Sequence, residues 1–347
     1  MSVAKSIYKL LNSVMLASLF VTGVFSIYGG LLLAQLLKHI SPAAYRSYVG
    51  RQRCHFGRLL IATSQFSSST SVWLYLPESL KAAGVDPLRL NWKKRAVVIS
   101  NHQLYNDWMF VWWLAYAGGL ANSVVIMLKE SLRKIPIIGR GGQYFGFLFM
   151  ARDWATDEAR IKRCMQTLTE NPHDSAWLLM FPEGTVTSKD TFSRSKAFAI
   201  KNNLDMPKNV LLPRFRGLHA CLAALDGKID CLYNLTIYYD GVPQGTYGED
   251  YYTLKRMYWD MQAPKVVKIH IDEIPLKDIP TNETEFELWL TALWHAKDKR
   301  FDELKAADGC EIKSSVRLNN VVEFFEIYEV LIATTAAAAA SLYWKFW

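Results

Sequence analysis

At 347 residues the chain is long enough for one large domain or two small ones, and its 51% hydrophobic content beside 21% charged residues, with 12 Trp, 17 Tyr and 17 Phe, suits a protein that meets a membrane interface. The net charge of +8 fits an anionic membrane surface, a phosphate-bearing substrate or nucleic acid, and nucleic acid is the weakest of the three because zinc-finger spacing, an RNA-binding aromatic signature and a basic arm are all absent. The five cysteines (Cys54, Cys164, Cys221, Cys231, Cys310) are scattered, odd in number and without a CxxC pair, which argues against a disulfide framework and a structural zinc site and fits a cytosol-facing protein.

Leu10 to Leu37 runs for 28 residues without a charge. A bilayer core requires about 20 apolar residues, and the run is too long for a signal peptide's apolar stretch. Membrane embedding is expected; Gly23, Gly29 and Gly30 leave spanning, re-entrant and interfacial courses open. Lys5 and Lys9 precede the run, while Lys38, Arg46, Arg51, Arg53 and Arg58 follow it, placing the following segment on the cytoplasmic side. Residues 54–78, with Trp73 and Tyr75, read as an interfacial helix continuing the anchor. Pro87 and the basic Trp92-Lys93-Lys94-Arg95 lead into a strand at 96–100. Trp108 to Leu128 is again uncharged over 21 residues. Gly118, Gly119, Asn122 and Ser123 break it, which predicts a buried helix over 107–117 and a strand over 124–128 rather than a second membrane span.

Ile161, Cys164, Met165 and Leu168 have helical spacing within 156–170, and residues 176–181, 210–212, 232–239 and 266–271 read as strands. Thr284, with Glu287 as its capping-box partner, starts a helix whose apolar face holds Phe286, Leu290, Leu293 and Trp294. Val330 to Trp344 is uncharged and contains Ala336 to Ala340. Tyr343, Trp344 and Trp347 read as interface anchors there, with embedded and peripheral placement both open. This alternation of strands and helices predicts an α/β domain.

The chemistry concentrates after the 96–100 strand, in Ser100-Asn101-His102-Gln103-Leu104-Tyr105-Asn106-Asp107-Trp108. His102 is the one histidine of seven with an aspartate five residues on. Helix neighbours are three or four apart, so the two can meet only across a turn. One reading is a general base and its orienter; the other is a loop histidine and a helix-start aspartate. Phe181-Pro182-Glu183-Gly184-Thr185 alone reads as a tight turn. The two blocks together, on a membrane-anchored α/β chain, resemble the glycerolipid acyltransferase family, whose members use acyl-CoA to acylate glycerol-3-phosphate or lysophospholipids. Lys129 with Ile135-Pro136-Ile137-Ile138-Gly139-Arg140 is similar to the family's second block, and Leu212-Pro213-Arg214-Phe215-Arg216-Gly217 to its fourth. Asn106 to Phe110, Ala151-Arg152-Asp153-Trp154 and Ser193 to Ala199 are most similar to the lysocardiolipin and lysophosphatidylinositol acyltransferase branch.

The resemblance implies a mixed sheet flanked by helices, with an N-terminal membrane helix and a C-terminal hydrophobic helix. Residues 1–80 would be the anchor, 81–275 the α/β acyltransferase domain, 276–321 a helical extension and 322–347 a hydrophobic tail. It implies His102 as the base acting on a lysolipid hydroxyl and Asp107 as its orienter, with acyl-CoA as co-substrate, no acyl-enzyme, no cofactor and no metal. Oxyanion donors are expected from the His102 loop or the Gly139-Arg140-Gly141-Gly142 turn. Lys129 and Arg140 become phosphate partners. Glu183, Gly184 and Thr185 form the acceptor-site turn, with Glu183 binding a hydroxyl or a basic neighbour. Pro213 and Arg214 belong to the acceptor site, where Arg214 and Arg216 are either pocket cations or solvated surface.

Family members that acylate lysophosphatidic acid carry Arg directly after the turn. Val186 stands here, which favours an acceptor with a larger head group unless Arg194 or Lys196 supplies the charge. The partners are then a lysophospholipid and the bilayer, at the endoplasmic reticulum with the catalytic domain cytosolic. A catalytically silent membrane scaffold and a metallohydrolase are the competing readings. The other histidines (His39, His55, His173, His219, His270, His295) show no metal spacing. The glycosylation patterns at Asn234 and Asn282 would stay unmodified in a cytosolic domain.

Overall fold

The opening apolar run is carried by one helix, α1 (Val3–Lys38), in the computed structural model, which describes residues 3–81, 90–151, 153–171 and 173–346. Pro87, Arg152 and Trp347 lie outside the described residues. Ser41 ends the turn after α1 and caps α2 (Pro42–Ser67) by accepting the Ala44 amide at 3.3 Å, with proline at the first helical position. Then come β1 (Ser71–Tyr75), β2 (Arg95–Ser100), α3 (Asp107–Ala117), β3 (Val124–Lys129), α4 (Ile138–Tyr144), β4 (Leu148–Met150), α5 (Trp154–Leu168) and β5 (Ala176–Met180). The second half adds α6 (Lys189–Lys201), α7 (Phe215–Ala224), β6 (Cys231–Tyr239), α8 (Gly248–Tyr251), β7 (Val266–Pro275), α9 (Glu283–Ala306), β8 (Ile312–Ser315), α10 (Val321–Glu326) and α11 (Glu329–Phe346).

The strands form one mixed sheet in the order β4-β3-β5-β2-β6-β7-β1-β8. Strands β4, β3, β5, β2 and β6 run parallel. Strand β7 is antiparallel to β6, and β8 is antiparallel to β1. Strands β2 and β5 are buried at every position, as strands covered on both faces must be. Side chains alternate across the sheet. Ala96 and Val98 pack with Phe110, Trp112 and Trp113 of α3, while Val97 and Ile99 pack with Met165 of α5, Leu218 of α7 and Leu290 and Trp294 of α9.

The uncharged Trp108–Leu128 stretch is therefore core: α3, a break in which Gly119 has φ +73°, then β3. Among the described residues one helix, Ser6–Lys38, is long and apolar enough to cross a membrane, and only 28% of its most apolar window is buried. Leu10, Leu11, Val14, Met15, Val21 and Phe25 are exposed on it. Its other side packs on α2, on α11 and the turn just before it (the Tyr328 hydroxyl donates to the Leu19 carbonyl at 2.9 Å) and on α4 (Tyr28 and Tyr144 rings 6.5 Å apart).

Helix α2 meets α3 closely at Gly57, where an added Cβ would lie 2.3 Å from Trp112 Nε1. That nitrogen donates to the Ala121 carbonyl at 3.0 Å, so the indole is fixed from both sides. Overpacking of this kind costs about 1–3 kcal/mol. Gly57→Val is expected to lower the thermal midpoint accordingly, and an unchanged melting curve would contradict the packing described.

Three local readings are corrected. Residues 71–75 are a strand, not part of an interfacial helix. Val72 and Leu74 are buried while Trp73 and Tyr75 are half-exposed, a period of two that pairs parallel with β7 and antiparallel with β8. Residues 210–212 are not a strand: Val210 and Leu211 are buried and Leu212 is half-buried, but the Leu211 amide bonds Glu183 and the Leu212 amide bonds Ser195 Oγ at 3.2 Å. Helix α9 is capped by Asn282, not Thr284. Asn282 Oδ1 accepts both the Thr284 and Glu285 amides, at 3.0 and 3.2 Å.

Candidate active site

Strand β2 ends in a loop pinned by Asn101. This fully buried side chain donates to the Ile237 carbonyl at 2.9 Å and accepts its amide at 2.8 Å, so it takes the place of a strand neighbour on β6. The chain then turns sharply into α3, whose first residue is Asp107. An acidic group there is favoured by the free amides and dipole of a helix start. The turn closes the five-residue gap: His102 Nδ1 lies 2.9 Å from Asp107 Oδ2.

Asp107 is fully buried and accepts three further donors: the Gln103 amide at 2.6 Å, the Leu104 amide at 3.0 Å and the Tyr239 hydroxyl at 2.5 Å. A carboxylate can only accept, so His102 donates from Nδ1 and leaves Nε2 as a base. The His102 side chain keeps 16% of its surface against 0% for Asp107, which gives substrate access to the ring alone. The Phe181 ring stacks on the imidazole at 4.2 Å and 19°.

Phe181 opens the second block at the end of β5. Ile99 and Met180 are register partners on β2 and β5, so the two loops leave the sheet side by side at the carboxyl ends of parallel strands, where open α/β sheets bind ligands. The turn is tight: the Gly184 amide donates to the Phe181 carbonyl at 2.9 Å, and Gly184 has φ +73°, which favours glycine. The Thr187 amide donates to the His102 carbonyl at 2.8 Å, and the Arg214 amide donates to the Pro182 carbonyl at 2.7 Å. The Arg214 side chain runs over Gly184, 3.4 Å from where a Cβ would stand. Thr185 is half-buried beside it. His102, Asp107, the 181–185 turn, Pro213 and Arg214 are thus brought together.

Glu183 points inward. It is buried, accepts from the Thr187 hydroxyl at 3.2 Å and from Trp294 Nε1 at 3.4 Å, and burial pushes its carboxyl up to about 8. The basic neighbour acting on it is Lys297 of α9. Val186 is buried in the core, and Arg194 lies on the exposed face of α6, ion-paired to Asp190 at 2.8 Å.

The other basic block lies beyond the β5 turn. Lys129 ends β3 and is exposed; Arg140 is on α4 and lines a groove of about 470 Å³ with Glu130, Arg133, Lys134, Ile135 and Gln143. Gly139 to Gly142 form part of α4 rather than a turn. The Gly139 and Gly141 amides bond the Ile135 and Ile137 carbonyls, while the Gln103 and Leu104 amides bond Asp107. All four backbone donors are therefore already engaged. A Cβ on Gly139 would lie 2.0 Å from the Arg133 carbonyl oxygen, so only glycine fits. Among the described residues no three His, Cys, Asp or Glu side chains gather where they could hold a metal ion.

A family model described as Acyltransferase matches residues 75–218, and one described as Acyltransferase C-terminus matches residues 261–319. An uncharacterized acyltransferase of Schizosaccharomyces pombe is 34% identical over 323 residues, which is 91% of this chain and 92% of the relative. The chain belongs to the glycerolipid acyltransferase family. A 2-acyl-1-lysophosphatidylinositol acyltransferase of Saccharomyces cerevisiae is 36% identical over 280 residues, 70% of each chain. Lysocardiolipin acyltransferase 1 of Gallus gallus is 31% identical over 210 residues, 60% of this chain and 53% of that one. In this acyltransferase the first matched region holds His102, Asp107, Lys129, Arg140, the Glu183 turn and Arg214; the second holds Trp294 and Lys297. The roles of Asn101, Tyr239, Trp294 and Lys297 at the site had no signal in the sequence, because the contacts that give them span 63 to 136 positions.

Proposed function

We propose that this enzyme transfers a fatty acyl group from acyl-CoA to the free hydroxyl of an anionic lysophospholipid: lysophosphatidylinositol, a lysocardiolipin or lysophosphatidic acid. The observation that carries the reading is the His102–Asp107 dyad, with Nδ1 committed to a buried carboxylate and Nε2 available. Nε2 takes the hydroxyl proton as the oxygen attacks the thioester carbonyl. Asp107 stabilises the imidazolium, and the same proton then goes to the departing thiolate. The substrate's own hydroxyl is the nucleophile, so no acyl-enzyme forms.

Arg214 over the Gly184 turn and Arg140 in the basic groove are the cations assigned to the acceptor phosphate, with Lys129 at the end of β3 as a third. The packing of Val186 into the core supports an acceptor with a larger head group than phosphate alone. The relatives named for lysophosphatidylinositol and lysocardiolipin support the same choice. The exposed apolar side of α1 supports a bilayer-bound enzyme, and we assign it to the endoplasmic reticulum with the site facing the cytosol.

The test is transfer of labelled acyl groups from acyl-CoA to a panel of lysophospholipids presented in mixed micelles. Wild-type protein that acylates none of them would overturn the reading and favour a silent scaffold, and loss of transfer on chelation would favour a metal-dependent reaction. In the same assay Arg140→Ala is expected to raise KM for the acceptor about tenfold, the worth of one charge-assisted hydrogen bond, with kcat little changed.

A further inference from the structure

Helix α9 carries a lysine into the protein interior, away from the dyad. Lys297 is 1% exposed. Its ammonium donates to Asn234 Oδ1 at 2.6 Å and to the Leu235 carbonyl at 2.5 Å, both on β6, and lies 4.9 Å from the centre of the Trp294 ring. Asn234 is itself oriented by donating to Asp272 Oδ2 at 3.0 Å. Trp294 is three residues before Lys297 and on the same helix face, and its indole N–H reaches Glu183.

Glu183 therefore receives three donors: Trp294, the Thr187 hydroxyl and the Leu211 amide. Three donors suit a carboxylate rather than a carboxylic acid. Burial opposes that state, and the Lys297 ammonium favours it. Burial likewise pushes Lys297 down to about 7, against the opposing pull of Asp272 and Glu183. A buried titratable group without a partner is costly; Lys297 has the Asn234 and Leu235 oxygens, Glu183 has its three donors, and the Trp294 indole touches both groups.

We propose that Lys297 is a positioning residue of the acyl-transfer site: its ammonium lies against the Trp294 ring whose N–H donates to Glu183, and through Trp294 and Glu183 it holds the 181–187 turn, with Phe181 and Thr187, against His102. The linkage is continuous. Glu183 accepts from Thr187, the Thr187 amide donates to the His102 carbonyl, and Phe181 at the start of the turn stacks on the His102 ring. The C-terminal region thereby acts on the dyad without touching it. The inference rests on the acyltransferase reading above.

The groups that face this pair are Asp272 and His270 from β7, with Arg300 and Glu303 of α9 beside His270. The test compares the full chain in lipid micelles with Lys297→Met, Glu183→Gln and the double variant. In Lys297→Met, amides 181–188 are expected to exchange hydrogen about tenfold faster while those of β5 do not change. With this, kcat falls about tenfold with KM for the acceptor held, and the rising limb of the kcat–pH profile moves alkaline by about one unit as Glu183 loses its cation. The double variant is expected to regain only part of the exchange protection and of kcat relative to Lys297→Met: no buried carboxyl without its cation remains, but the Glu183→Gln side chain must turn its NH₂ toward one of the three donors there.

Unchanged exchange and an unchanged pH profile in Lys297→Met would overturn the proposal. So would a lower melting temperature with kcat of the folded enzyme intact. Should Lys297→Met not fold, Lys297→Gln, which keeps a donor for the Leu235 carbonyl, carries the same expectations. A wild-type enzyme without transferase activity would sink the acyltransferase reading, while the exchange pattern would still decide the Lys297–Glu183 linkage.

Discussion

His102→Ala is expected to lower acyl transfer by about 10²–10⁴-fold, the usual worth of a positioned general base. The fall belongs in kcat and kcat/KM together, because the imidazole acts on the reacting hydroxyl and contributes little to holding the acceptor. The variant should fold. The ring keeps 16% of its surface, and the loop around it is held by backbone bonds and by Asn101 rather than by the imidazole. Initial rates with labelled acyl-CoA, together with a melting curve, test both halves of this statement. Undiminished transfer by a folded His102→Ala enzyme would remove the mechanism.

Asp107→Asn is expected to be as damaging to the rate and worse for the fold. Asp107 is surrounded by donors only: His102 Nδ1, the Gln103 and Leu104 amides and the Tyr239 hydroxyl. An asparagine must turn its NH₂ toward one of them. If His102 yields, the imidazole takes the other tautomer and Nε2 ceases to be a base, a loss of about 10⁴-fold in triads of this logic. If a backbone amide yields, a buried donor goes without a partner at a cost of about 1–3 kcal/mol. Tyr239→Phe is the control, since it removes one donor and leaves His102 on Oδ2. Its rate should stay well above that of Asp107→Asn, and equal losses in both would mean that the tautomer argument is wrong.

The dyad was legible in the sequence because its geometry is local: one turn between a strand end and a helix start joins residues five apart. The core status of Trp108–Leu128 was legible for a similar reason, since Gly118, Gly119, Asn122 and Ser123 break the stretch, and Gly119 at φ +73° ends the helix there. The direction of Glu183 was not. A Pro-Glu-Gly turn does not say which way its carboxylate points, and the answer comes from Trp294, 111 positions later. Residues 210–212 carried the apolar signature of a strand, but their amides are spent on Glu183 and Ser195, a competition no periodicity reveals. Strand β1 was hidden by its neighbours: five alternating residues directly after a long helix read as more helix until β7 and β8 are there to pair with them.

The saturation of Asp107 has a consequence for the order of events. With Nδ1 committed and one ring face covered by Phe181, His102 has a single port for protons. In the proposed reaction the proton that leaves the attacking hydroxyl and the proton that reaches the departing sulfur both pass through Nε2. Attacking oxygen and departing sulfur therefore have to come within reach of the same nitrogen. In the proposed mechanism no acyl-enzyme stores the acyl group between steps, so donor and acceptor have to be bound together, and turnover would run through a ternary complex rather than by a shuttle between two half-reactions.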